Sequence, residues 1–466
     1  MSRLFISAAH KSSGKTTVSV GLCAAFAARG LSVRPFKKGP DYIDPLWLSR
    51  AAGHACWNLD FHTMASSEIL ATVGGRVGAG ELALVEGNKG LHDGVAVDGG
   101  NSNAAVARLL DAPVVLVIDT RGMTRGIAPL VLGYQAFDER VEIAGVILNY
   151  VGGPRHQGKL CAALERYTDV AVLGAVARDE DLRIGERHLG LVPANEVTDA
   201  SATIQRIAAR VAEQVDLDRL LRIAHGARPW RAPRDGWTPP ARRTPSDVRI
   251  GIARDAAFGF YYPGDLDALR AAGAELVIFD TLRDTDPPDV DGLFIGGGFP
   301  EMHLDALEAN RRLRRRLGEA VIAGLPVYAE CGGLMYLARR IHRAGRSAAM
   351  VGAIPADVLM EDRPQGKGYV VLEATGKAPW AVGATPGEEI HAHEFHHSRL
   401  VACDPNLDYA YRVRRGHGVD GERDGIVIGN LLAGYAHLRD TGRTRWAAGF
   451  VDFVRSCRHE LRRASG

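Results

Sequence analysis

Leu4-Phe5-Ile6-Ser7-Ala8-Ala9-His10-Lys11-Ser12-Ser13-Gly14-Lys15-Thr16-Thr17 decides the fold of the first half of this chain. The apolar Leu4–Ser7 run makes a strand. A Gly-Lys-Thr loop follows it, and the stretch from Val18 to Ala28 makes a helix. Strand, loop and helix in that order read as a phosphate-binding loop. Backbone N–H groups at the helix start would cradle phosphates, Lys15 would neutralise their charge and Thr16 would ligate Mg²⁺. The strict pattern wants glycine at position 9, where this chain has Ala9.

Outward from that loop, residues 1–227 alternate short apolar runs with helical patterns, the signature of a parallel α/β sheet. Strands are expected at Leu4–Ser7, Ser32–Phe36, Leu82–Glu86, Val114–Asp119, Ile143–Asn149 and Val170–Ala175. Glu86 ends an apolar strand, so it should sit at the carboxyl edge of the sheet, where such folds bind ligands. It is a candidate Mg²⁺ ligand beside Thr16. Lys37 and Lys38 follow the second strand and would face phosphates or an anionic substrate. Asp41 and Asp44, in Gly39-Pro40-Asp41-Tyr42-Ile43-Asp44-Pro45, are candidates for metal or substrate contact; an ordinary turn has the same composition.

The second half turns on Val327-Tyr328-Ala329-Glu330-Cys331-Gly332-Gly333-Leu334-Met335-Tyr336. A strand (Leu325 to Ala329) runs into a sharp corner occupied by Cys331, and a helix (Leu334 to Ile341) is expected after it. A nucleophile at such a corner is exposed at the end of a sheet. The helix N-terminus would favour its thiolate. Gly292–Glu301 is an apolar strand ending in the cluster Gly296-Gly297-Gly298, whose N–H groups can hold an oxyanion. His437, after the strand-like Ile426 to Leu432, is the candidate base for Cys331. A rival lies in Glu389–Ser398, where His391, His393, His396 and His397 crowd together. No cysteine or further acid completes a metal set there, so a substrate-facing or supporting role is expected. Arg311–Arg316 reads as the solvated face of a helix.

Composition frames these motifs. A chain of 466 residues allows two or three domains, and 46% hydrophobic with 24% charged residues describes neither a disordered nor a membrane protein. A net charge of +2 is too balanced for nucleic-acid binding. The six cysteines are scattered, which fits a reducing cytoplasm. No apolar run approaches membrane-spanning length, so no membrane partner is expected. Arg228 to Asp247, rich in Pro, Arg and Trp, reads as a linker (228–247) between domains at 1–227 and 248–460.

The order of motifs along nearly the whole chain resembles the cobyrinate (hydrogenobyrinate) a,c-diamide synthase family of cobalamin biosynthesis. The matching stretches are Ser13-Gly14-Lys15-Thr16-Thr17, Lys37 with Gly39–Pro45, Asn58-Leu59-Asp60, Val85-Glu86-Gly87 with Gly90-Leu91 and Asp93-Gly94, and Gly145–Asn149. They continue with Glu186–Leu191, Gly296–Glu301, Cys331-Gly332-Gly333 and His393-Glu394-Phe395-His396. The resemblance implies a P-loop, dethiobiotin-synthetase-like α/β domain followed by a class I glutamine amidotransferase domain of flavodoxin-like fold. It implies ATP and L-glutamine as co-substrates, Mg²⁺ as cofactor and a tetrapyrrole polycarboxylate as substrate, with a homodimer compatible.

By resemblance, Ser13, Gly14, Lys15, Thr16, Thr17 and Asn149 would bind ATP, Asn149 reading the adenine. Thr16 and Glu86, with Asp41 as a further candidate, would hold Mg²⁺. Asp44, with Tyr42 nearby, would lie beside the macrocycle's carboxylate; Lys37, Asp41 and Lys89 are further candidates for substrate contact, read from the residues themselves. Cys331 and His437 would release ammonia from glutamine with backbone N–H groups near Gly298 and Gly332 as oxyanion hole, and the ammonia would displace phosphate from an acyl phosphate at the a and c acetates. Ala8, Lys38, Asn88, Lys89 and Phe61-His62-Thr63 depart from the family pattern, several of them in the implied substrate cleft. Sirohydrochlorin, siroheme or a nickel relative are the alternative substrates. The acid two residues after the base in many triad amidotransferases is absent after His437, so another group orients it or the unit is a dyad. A partitioning-type ATPase switch is the alternative from another class; its signature lysine would fall at His10.

Overall fold

The computed structural model describes residues 1–187, 190–232, 245–380 and 385–464, with the backbone alone for 460–464. The chain divides into two compact units, Met1–Thr238 and Pro239–Gly466. Most of the linker expected at 228–247 (its residues 233–244) lies outside the described residues, as do His188 and Leu189.

The first unit is built on seven strands: β1 (Ser2–Ala8), β2 (Val33–Lys38), β3 (Trp57–Leu59), β4 (Leu82–Glu86), β5 (Val114–Asp119), β6 (Ile143–Val151) and β7 (Val172–Ala177). All pair in parallel, in the order β3-β2-β4-β1-β5-β6-β7. Every residue of β4 and of β5 is buried. Helices cover both faces of such a sheet, so its central strands are continuous apolar runs and not alternating ones. The expected strands are present, β4 and β5 with the expected bounds. The three-residue edge strand β3 was not expected, being too short to carry a period.

Register fixes what meets at the sheet's carboxyl edge. Glu86 lies opposite Lys37 on one side and Ile6 on the other. The last residues of β1, β2 and β4 therefore converge where the helix Lys15–Ala28 begins.

In the second unit a nine-stranded sheet runs Ala274–Phe279, Val248–Ala253, Gly292–Ile295, Val327–Glu330, Leu431–Gly434, Arg423–Ile428, Asp408–Arg415, Gly366–Ala374, Glu389–His396. The first five are parallel and the last four extend them antiparallel.

Two sequence expectations fail here. The single strand Ile426 to Leu432 is a hairpin, because Gly429 takes φ +55° and, with Asn430, turns the chain back. A Gly-Asn pair between apolar runs is a hairpin signal. The helix after Cys331 spans only Gly332–Leu337. Ala338–Arg343 then becomes a strand, paired in parallel with Ile354–Met360 and antiparallel with Arg346–Ala349. Sheet pairing overrides the helical pattern, and so short a helix adds little dipole at the corner.

All six residues of that helix are buried. Among the described residues no helix is long and apolar enough to cross a membrane. A Cβ at Gly333 would overlap the carbonyl of Ile295 on the neighbouring strand. Gly333→Ala should therefore destabilise the protein by about 1–3 kcal/mol, read as a lower urea midpoint in circular dichroism.

Candidate active sites

In the first unit the phosphate loop closes on itself. Ser13 Oγ donates to His10 O at 2.8 Å, and Asn149 Nδ2 donates to Ser13 O at 2.8 Å. Gly14 takes φ +80°, and a Cβ there would overlap Asn149 and crowd Tyr150. Lys15 follows as the first residue of the helix, with Thr16 and Thr17 behind it.

Beside this loop a cluster of charge is buried. Lys37 Nζ lies 2.5 Å from Asp44 Oδ2, 2.7 Å from Glu86 Oε1 and 3.7 Å from Asp41 Oδ2, and also donates to Gly87 O at 3.2 Å. Thr16 Oγ1 donates to Glu86 Oε1 at 2.8 Å and lies 3.2 Å from Asp44 Oδ2. Burial alone would lower the Lys37 pKa, but Asp44 and Glu86 outweigh it and hold the ammonium charged. Burial and the charge of Lys37 push Lys15 down, against Glu86 and Asp44. Burial and the charge of Asp44 push Asp41 up to about 7, against Lys37.

This donor set fits Mg²⁺. Its atoms are hard oxygens, and Glu86 Oε2 is buried with no hydrogen-bond partner among the described residues. Among the described residues no three His, Cys, Asp or Glu side chains gather as a ready metal cage. A cation held here by Thr16, Glu86 and Asp44 would take its remaining ligands from phosphate and water, the usual habit of Mg²⁺. Asp41 Oδ1 accepts the N–H groups of Ile43 and Asp44 at 2.9 and 3.1 Å. Asp41 thus fastens the start of the helix Ile43–Ala52, with Tyr42 just before it. Asn58 Nδ2 supports the same loop through Gly39 O and Asp41 O.

Lys38 differs from its neighbour. It is 4% exposed, and among the described residues no hydrogen bond or ion pair engages its ammonium. Burial pushes it down to about 8; the charges of Lys89 and Lys37 add to this and Asp60 opposes it. Lys89 is exposed and held at φ +44°.

In the second unit Cys331 occupies φ +48°, ψ −102°, a strained conformation for a non-glycine residue. Its N–H donates to Gly434 O at 2.8 Å, and its carbonyl accepts from Met335 N at 3.1 Å. A Cβ on Gly332 would come 3.0 Å from Gly298 N, and one on Gly297 would come 2.7 Å from His437 Cε1. These glycines let the corner, the Gly297-Gly298 strand and the imidazole approach one another.

His437 pairs with both Cys331 and Glu330. Its Nδ1 is 3.3 Å from Glu330 Oε2. Burial would lower the pKa of this imidazole, but hydrogen bonds to Cys331 and Glu330 outweigh it and raise it to about 10. Sequence reasoning brought Cys331 and His437 together and missed Glu330, which carries the same signal that revealed Glu86: a carboxylate ending an apolar strand.

The histidine run supports this site. His393 and His437 exchange backbone hydrogen bonds and stack their rings at 4.9 Å. His396 stacks on Tyr435 at 3.8 Å, and Glu394 accepts the N–H groups of His417 and Gly418.

Comparison with known proteins matches a domain to each unit. Residues 5–192 match the CobQ/CobB/MinD/ParA nucleotide binding domain, and residues 249–443 the CobB/CobQ-like glutamine amidotransferase domain. A cobyrinate a,c-diamide synthase of Magnetococcus marinus is 45% identical over 97% of this chain and 97% of its own. That of Methanosarcina acetivorans is 41% identical over 97% and 95%. That of Archaeoglobus fulgidus is 40% identical over 94% of each chain. With a phosphate loop in one unit and a paired thiol in the other, the chain belongs to the cobyrinate a,c-diamide synthase family of glutamine-dependent amide-forming ligases.

Proposed function

We infer that this enzyme uses ATP and glutamine to amidate the a and c acetate carboxylates of a cobyrinate-type tetrapyrrole in cobalamin biosynthesis. One observation carries the reading. A single chain holds a buried thiol paired with an imidazole in one unit, and a phosphate loop backed by Glu86 and Asp44 in the other. The relatives' names supply the substrate class.

Cys331 Sγ attacks the side-chain amide carbon of glutamine, and N–H groups at Gly298 and Gly332 face the developing oxyanion. His437 hands a proton to the leaving nitrogen, ammonia departs, and water then hydrolyses the thioester to glutamate. In the other unit the γ-phosphoryl group of ATP passes to a substrate carboxylate oxygen, giving an acyl phosphate and ADP. Thr16, Glu86 and Asp44 would hold Mg²⁺, which would supply charge neutralisation for the phosphates. Lys15 holds the phosphates within the loop. Asn149, its amide nitrogen committed to Ser13, leaves its amide oxygen to read the adenine. Ammonia adds to the acyl carbonyl and phosphate leaves, so the amide forms at the expense of one ATP.

Lys37 serves this chemistry by holding Asp44 and Glu86 in place. The buried ammonium of Lys38, with Lys89 beside it, is the group suited to a substrate carboxylate; Asp41, Tyr42 and Asp44 complete that side. These positions select the macrocycle.

Purified enzyme incubated with ATP, Mg²⁺, glutamine and, separately, cobyrinate, hydrogenobyrinate, sirohydrochlorin or siroheme should add two amides to a cobyrinate-type substrate, counted by mass spectrometry. No amide on any macrocycle would overturn the reading. Cys331→Ala should lower glutamine-dependent synthesis by about 10³-fold or more while synthesis from concentrated ammonia persists. Lys38→Met should raise the KM for the macrocycle about tenfold, the scale of one charged hydrogen bond. Because the Lys38 charge is lost as pH rises through about 8, wild-type kcat/KM for the macrocycle should fall over that range, and the Lys38→Met profile should lack that step.

A further inference from the structure

We propose that Glu330, the residue immediately before the nucleophile, is the acid that orients His437 and completes a Cys331–His437–Glu330 triad. The acid usually sought two residues after the base is not available, since Leu438 and Arg439 follow His437. The carboxylate reaches the imidazole from the nucleophile's own strand, Val327–Glu330.

The geometry assigns each oxygen a task. Glu330 Oε1 accepts from Tyr328 Oη at 2.6 Å and from Leu438 N at 2.9 Å. Both donors are neutral and fix the carboxylate without cancelling its charge. Oε2 is thereby directed at His437 Nδ1, 3.3 Å away. With Nδ1 facing Glu330, Nε2 is the nitrogen left for Cys331. The carboxylate is 2% exposed, so its attraction for an imidazolium is little screened. Leu438 N contributes a second constraint: the same carboxylate that faces the ring also grips the backbone next to it.

The other groups around the ring do not supply this function. His393 stacks face to face on it, and its Nδ1 lies 3.3 Å from Tyr262 Oη. Beyond Glu330 lie Asp265 and Arg439; Asp265 is driven toward its neutral form by burial and by the charges of Asp440 and Glu330. Glu330 is the carboxylate the structure places against the ring. Its role is positioning: it touches no reacting atom and acts through His437, holding the tautomer and favouring the imidazolium that faces sulfur. The inference rests on Cys331 as nucleophile and His437 as base.

The full-length Glu330→Gln enzyme tests it, since glutamine keeps an oxygen for Tyr328 and Leu438 but loses the charge. Glutaminase kcat should fall about 10²–10⁴-fold, the range for neutralising a triad acid, with KM for glutamine within about threefold, as expected when transition-state stabilisation is what is lost. The alkaline limb of the pH profile should move to lower pH by about one unit, because His437 loses the partner that helps keep it protonated. Glu330→Asp, which restores charge at shorter reach, should recover part of the rate. A readout independent of turnover is alkylation of Cys331 by iodoacetamide, followed on its peptide by mass spectrometry across the alkaline range; the step at which the facing imidazolium is lost should move to lower pH by about the same one unit in Glu330→Gln. Wild-type kcat, or a kcat loss with an unmoved pH limb and unchanged alkylation, would reduce Glu330 to a structural residue and overturn the proposal. Glutamine turnover surviving in Cys331→Ala would instead refute the nucleophile assignment on which it rests.

Discussion

A carboxylate buried at the end of an apolar strand has to be paired, because burial of an unpaired charge costs far more than a fold can supply. Each unit of this protein carries such a carboxylate at the last position of a parallel strand. Glu86 is fully buried and meets Lys37 and Thr16. Glu330 meets His437, with Tyr328 and Leu438 N as further donors. Once these acids are placed, the partners are constrained. Lys37 is held in register opposite Glu86, and the loop bearing His437 is drawn to the end of the nucleophile's strand.

The two sites use the pairing differently. In the first unit Lys37 engages Asp44, Glu86 and Gly87 O, so this lysine organises acids and is poorly placed to bind substrate. The next residue, Lys38, is also buried, but Asp60 acts on it without an ion pair and burial prevails, so its pKa is lowered. In the second unit the paired cation is the imidazole of His437, the proposed base. The raised pKa of His437 reflects the acid on one side and the thiol on the other. One arrangement stabilises a binding surface; the other stabilises one protonation state of a reacting pair.

Much of this was legible in the sequence. Long apolar strands with acids or glycines at their ends gave the sheets, and the Gly-Lys-Thr and Glu-Cys-Gly-Gly corners gave both sites. Glu330 escaped although it ends its strand as Glu86 does, because the apolar run stops at Ala329 and an acid for the base is usually found after the histidine. Lys37 and Lys38 could not be told apart, since β2 is buried on both faces near its end and alternation carries no information there. The histidine run left a substrate-facing and a supporting role open, and His393 and His396 pack on rings of the 434–437 loop. Only tertiary contact distinguishes a ligand from a brace. The short helix after Cys331 was overestimated because Ala338–Arg343 suits a strand as well as a helix, and its neighbours decided the outcome.

The spacing of the proposed nucleophile and base is set by backbone more than by side-chain packing. Cys331 is held at a positive φ that costs on the order of 1–3 kcal/mol, so something must fix it there. Its N–H is held by Gly434 O. The next residues of that segment, Tyr435 and Ala436, donate their N–H groups to the buried carboxylate of Asp424 at 3.0 and 2.9 Å. His437, one residue further, is tied by paired backbone hydrogen bonds to His393. Nucleophile and base are therefore anchored to one short segment, Gly434–His437, whose position is fixed by the hairpin before it and the strand beside it. A substitution in that hairpin can displace both groups together and leave their separation unchanged. Loss of Glu330 disturbs the pair itself, because Glu330 acts on His437 from the strand that carries Cys331.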